Sequence, residues 1–148
     1  MQENECWALL EKLNWDEAGD DEAVIKPVVD ALSQKNISEI YEFEDFIAQK
    51  LYALDTKAHA KEIGEEAYIN DEEFFSVDGF LYSRCVVVAN GEGLFNQVMA
   101  NPSEFPKDME FEALLGIAQE AYEKKTGSEW EHSSSVDYET FSNKQGWA

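Results

Sequence analysis

An all-α fold is what this sequence predicts: a compact, irregular bundle of about six helices, closed by an extended C-terminal segment packed back on it. Three observations lead there. Apolar residues recur at spacings of three and four through most of the chain, as the buried face of a helix requires. Residues that start and stop helices flank those runs. The valines from Val86 to Val88 have β propensity, but no second strand signal exists to pair with them. A lone strand would leave its backbone groups unsatisfied, so the valine run is expected to be helical.

Each element has its own signal. From Glu3 to Leu13, Cys6, Leu9, Leu10 and Leu13 share a face, with Trp7 beside them. The polar loop "NWDEAGDDE" follows. A second helix is expected from Glu22 or Ala23, with Val24, Val28, Ala31 and Leu32 inward and Pro27 suited to its first turn. The third begins with Ser38 as N-cap, and Ile40, Phe43, Ile47, Leu51 and Leu54 form its stripe. Glu39, Glu42, Glu44, Asp45 and Lys50 fall to its other faces. "TKAHAKEIGEEAYIND" reads as a short helix with a solvent-facing His59. Asp78 can cap a helix from Gly79 to Ala89, "NGEG" breaks the chain, and "LFNQVMANP" adds turns that Pro102 ends. Asp108 is expected to cap a last helix with Phe111, Leu114, Leu115, Ala118 and Tyr122 inward and Gly127 as its stop. Residues 128–148 are serine-rich, yet Trp130, Tyr138, Phe141 and Trp147 are too aromatic for a free tail. The 148 residues suit one domain.

Composition limits function more sharply than any motif. The chain sets 32 acidic residues against 11 lysines and arginines, for a net charge of -21. Such a surface repels nucleic acid and anionic membranes, and attracts basic proteins. No stretch approaches the roughly 20 apolar residues of a membrane span. The start, "MQENECWALL", lacks the pattern of a signal peptide, so a cytoplasmic location is expected. Cys6 and Cys85 read as reduced, at least partly buried thiols and cannot complete a thiolate zinc site.

No catalytic constellation is apparent. There is no GxSxG, the "NGEG" glycines lack a preceding strand and a lysine, and His59 and His132 have no evident partners. Asp16, Glu17, Asp20, Asp21 and Glu22 are all oxygen donors, but their spacing is not that of a calcium loop, and a solvated surface explains them. No metal or cofactor is expected. Arg84, the only arginine, stands among Phe80, Leu81, Val87 and Val88 at helical spacing. Its charge is permanent, so it must meet a carboxylate or several carbonyls. Glu42, Asp45 and Glu120 are the candidate carboxylates for a buried ion pair that sets helix register. The competing reading is that Arg84 grips an anionic ligand.

"DGFLYSR", then Gly91, Phe95, "ANP", "LLGIAQEAYEKKTG" and "YETFSNKQGW" together resemble the bacterial family known as domain of unknown function 4240. Ser83 stands before the arginine where that family commonly carries a large aromatic residue, and Val86 and Val87 stand after it where the family often has Trp-Leu. The resemblance implies a helical domain and no established activity. The functional expectation is therefore non-enzymatic. An acidic bacterial protein would dock or neutralise a basic, toxin-like partner, as an immunity protein does, using Trp15, Trp130, Tyr138, Asp20 and Asp21. The alternative is a regulatory domain binding a small anionic ligand near Arg84.

Overall fold

The apolar spacing folds as helices throughout. The computed structural model describes every residue from Met1 to Ala148. It contains α1 (Glu3–Leu10), α2 (Asp21–Ser33), α3 (Ile37–Ala53), α4 (Lys57–Ala60), α5 (Val77–Ala89), α6 (Glu92–Ala100), α7 (Ile117–Thr126) and α8 (Lys144–Trp147), with no strand. α4 and α8 are single turns of 4 residues, so the helices of two turns or more number six, as expected. Short 3-10 turns lie at Trp15–Glu17, Pro102–Glu104 and Glu112–Gly116. No helix is long and apolar enough to cross a membrane.

Polar side chains fix the helix starts. Asp20 accepts from Ala23 N at 3.2 Å, and Ser76 accepts from Gly79 N at 3.0 Å. α5 thus begins at Val77, ahead of the expected Asp78 cap. α3 is capped by Asn36 rather than Ser38. Asn36 accepts from Glu39 N at 2.8 Å while Glu39 returns a carboxylate to Asn36 N, and this reciprocal box outcompetes a lone serine. α2 starts early enough that Pro27 lies inside it, not in its first turn, so the Ala23 carbonyl loses its usual donor.

The last helix also departs from the expected start. Asp108 does not cap it. The Asp108 backbone sits at φ 57°, its N–H donates to Ile63 O at 2.9 Å, and its carboxylate accepts from Glu65 N at 2.7 Å. Phe111 N donates to Tyr82 O at 3.0 Å. These distant bonds tie residues 108–111 to the Ile63–Glu65 turn and to α5, and delay the α-helix until Ile117. Gly127, at φ 69°, ends α7 in the left-handed conformation as expected.

α5 is the centre of the molecule. From Gly79 to Ala89 it has no continuous polar face, and every residue there except Tyr82 is buried. α3 and α6 pack against it, while α2 lies along α7 to close the bundle. One cluster of 34 buried residues forms the core. Cys6 and Cys85 are both free and buried. Burial pushes their thiols up to about 11 and about 12, which keeps them protonated and unreactive.

Residues 128–148 return over the bundle as a strap. From Glu131 to Thr140 the exposure alternates. His132, Ser134, Val136, Tyr138 and Thr140 turn inward, and the residues between them face water. That period of two marks an extended chain lying on a surface.

Candidate functional site

Arg84 is where the strap meets the core. It is wholly buried, because α5 offers it no solvent face. Nη1 donates to Leu51 O at 2.8 Å and to Tyr138 O at 2.9 Å, and Nη2 donates to Thr140 Oγ1 at 3.0 Å. The Thr140 hydroxyl in turn donates to Val77 O at 2.7 Å. Phe80 lies under the guanidinium, 4.7 Å from ring centre to Cζ, and Nε has no partner. No carboxylate pairs with it, so the expected ion pair with Glu42, Asp45 or Glu120 is replaced by neutral oxygens. Burial lowers the Arg84 pKa to about 10, and Asp55 is the main charge opposing that fall.

Asp55 complements Arg84 on the same strap. It too is wholly buried, and it accepts from Phe141 N at 3.2 Å, Asn143 N at 3.1 Å and Trp147 Nε1 at 2.7 Å. The cation therefore takes the strap's oxygens and the anion takes its N–H groups. Arg84 and Tyr138, both expected at a site, are brought together here, but through a backbone carbonyl. Both Nη groups are occupied by the protein's own oxygens.

Trp130 belongs to a second cluster. Tyr41 stacks on His132 with ring centres 4.3 Å apart and planes 8° apart. Trp130 meets Tyr41, Tyr122 and His132 edge-on. His132 Nε2 donates to Asp45 Oδ1 at 3.1 Å, which also accepts from Ser135 N at 2.9 Å. Beneath them Glu44, expected on an outer face, is buried by the strap and accepts from Ser134 Oγ at 3.4 Å. Loss of hydration raises its pKa to about 7. Burial also pushes the Tyr138 hydroxyl up to about 12. Trp130 and Tyr138 are half-buried and hold the strap down.

Trp15 and Asp20 lie between α1 and α2, Asp21 opens α2, and Trp15 and Asp20 border two different hollows. Trp15 is 41% exposed, leans on Phe111 with ring centres 5.1 Å apart, and borders a groove of about 270 Å³ with Glu11 and Asn90. Asp20 borders a cleft of about 460 Å³ between α2 and α7, with Glu22, Lys26, Asp30, Glu120, Glu123 and Lys124. Lys124 and Lys26 both bond Asp30 and hold its carboxyl below its usual range. Desolvation, then a hydrogen bond with Glu22, raises Glu120 to about 7. No group of three or more His, Cys, Asp or Glu side chains is arranged to hold a metal.

His59 is buried, contrary to expectation. Its Nε2 donates to Val98 O at 3.0 Å, its Nδ1 accepts from the Thr56 hydroxyl at 2.7 Å, and burial lowers its pKa. It is a neutral link between α4 and α6. "TKAHAKEIGEEAYIND", residues 56–71, is expected as a short helix, yet α4 covers only Lys57–Ala60 and the connection from Lys61 to Ser76 is irregular. It carries Phe74, 88% exposed. The sequence signal was present: two phenylalanines directly after "NDEE", off any helical stripe.

Fold and surface together define an all-helical, strongly acidic protein with a clamped C-terminal strap. Residues 1–124 match the family model described as Protein of unknown function (DUF4240), and the chain belongs to that family. Trp15, Asp20, Asp21 and Arg84 lie in the matched stretch, while Trp130 and Tyr138 lie beyond it. No curated protein and no solved structure matches the chain.

Proposed function

We propose that this protein docks a basic protein partner on its acidic, aromatic-studded surface. The concrete form is an immunity-type role, neutralising a basic toxin in a bacterial cytoplasm. One observation carries the reading. Of 32 acidic residues, only Glu3, Asp30, Glu42 and Glu62 pair with a lysine or the N-terminal ammonium, and Asp45 bonds His132. The remaining negative field is uncompensated and free to steer a cationic protein to contact. Exposed Trp15 supplies the kind of anchor such interfaces use.

The partner to test is a secreted toxin encoded beside this protein's gene. Stopped-flow mixing should give an association rate that falls at least tenfold between about 0.02 and 0.3 M salt, as screening shortens the field. The toxin's activity should be lost at equimolar protein. A rate that ignores salt, or a toxin that stays active, would contradict the reading.

A further inference from the structure

The connection from Lys61 to Ser76 is longer than the roughly 12–15 residues that an irregular loop usually reaches without a functional reason. It is anchored by Phe75, which packs on Tyr68 (5.5 Å), Phe80 (5.8 Å), Trp147 (6.2 Å) and Phe141 (6.3 Å). Exposed apolar side chains ring this anchor. Phe74 precedes it at 88% exposure, Val77 follows two positions later, Phe141 touches it, and Ile69 adjoins Tyr68 at 69% exposure. The Val77 carbonyl accepts from Thr140, which draws Phe141 of the strap beside the start of α5. Phe75 thus joins the loop to α5 and the strap, with exposed Phe74 and Val77 within two positions of it in the chain and exposed Phe141 against it.

The chemistry around these side chains selects their occupant. Between Glu62 and Asp78 there is no lysine, arginine or histidine. Asp71, Glu72, Glu73, Asp78 and Glu139 are exposed, and none of them has an ion-pair partner. A second copy of this chain would set these carboxylates against their own kind in a molecule of net charge -21. A cationic segment with an apolar tip meets both features.

We propose that the Phe74 face is the principal docking surface, and that it takes a lysine- or arginine-rich, apolar-tipped segment of the partner protein. This rests on the basic-partner reading above and locates it. Phe74 enters the partner's apolar contact, while Asp71, Glu72 and Glu73 set the encounter rate.

Two synthetic helical peptides test it: one with leucines at helical spacing among lysines, and one of equal charge with serines in place of the leucines. Fluorescence anisotropy should show the wild-type protein binding the Lys/Leu peptide at least tenfold more tightly than the Lys/Ser peptide. Phe74→Ser should erase that preference and leave the salt dependence of the association rate intact. Asp71→Asn with Glu72→Gln and Glu73→Gln should do the reverse, flattening the salt dependence. A charge-matched control, Glu92→Gln with Glu104→Gln and Glu129→Gln, should change neither beyond twofold. All the altered side chains are exposed, so folding is expected to survive, and circular dichroism checks it. Wild-type behaviour of the Phe74→Ser variant would overturn the proposal. Loss of binding on Asp20→Asn with Asp21→Asn, and not on the loop variants, would overturn the location while leaving a basic partner standing. Binding of neither peptide would count against both readings. A sedimentation dimer dissolved by Phe74→Ser would make the occupant a second copy and overturn the proposal too.

Discussion

At the scale of single residues, the charges inside this protein matter more than those outside. Arg84 holds three oxygens, one from α3 and two from the strap, and a methionine of similar length would leave all of them without a donor. Arg84→Met should lower the unfolding free energy by about 3–5 kcal/mol in a urea titration. Arg84→Lys keeps the charge but cannot span both Nη positions, and should fall between the two. That Arg84 is buried was legible in its apolar neighbours. That its acceptors are mainly backbone carbonyls was not, because a carbonyl carries no residue identity. Glu44 is a different case. Its spacing from Ile40 and Ile47 places it on the inner stripe of α3, but its charge argued for the outside.

Glu44 gives stability a dependence on pH. Its folded pKa is about 7, above the ordinary 4.5 of a glutamate, so the folded state binds its proton more tightly than the unfolded chain does. Its protonation favours folding fully below about pH 4.5 and is lost as pH rises through about 7. Glu120 shifts in the same direction. Glu44→Gln should therefore gain about 1–3 kcal/mol over wild type at pH 8 and little at pH 4.5. Urea midpoints at the two pH values decide this; an equal change at both would show that the carboxyl does not titrate in this window.

At the scale of elements, the helices with clean apolar spacing were legible, and the segments tied down by distant hydrogen bonds were not. α3 illustrates the first case: its stripe and its Asn36–Glu39 box both lie in the sequence. Residues 108–111 illustrate the second. Bonds from Asp108 to the Ile63–Glu65 turn and from Phe111 to Tyr82 override a good local helix signal. The strap was legible only as aromatic excess. Its grip depends on Arg84 and Asp55, which lie more than fifty residues earlier, and no local pattern encodes that pairing. The site residues divide the same way. Trp15, Asp20 and Asp21 stay exposed between α1 and the start of α2, whereas Trp130 and Tyr138 are spent on holding the strap.

At the scale of the whole molecule, self-repulsion is the dominant long-range force. With a net charge of -21 and few internal ion pairs, added salt should stabilise the fold by screening. Each kcal/mol so gained would raise Tm by about 2–4 °C for a chain of this size. Calorimetry from about 0.01 to 0.5 M sodium chloride should show Tm climbing and then levelling as the screening length falls to a few ångströms. A falling Tm would mean that the few ion pairs contribute more than the repulsion costs.

The clamped strap also has a topological consequence. Between Lys125 and Lys144 there is no lysine or arginine, and the one arginine of the chain is sealed in the core. A trypsin cut after exposed Lys125 would sever the backbone without loosening Arg84 or Asp55 from their hydrogen bonds. The nicked halves should travel as one particle on a sizing column and separate only in denaturant. The tail is, in effect, a peptide ligand that the protein carries on its own chain, and a free copy of it should rebuild the shortened molecule.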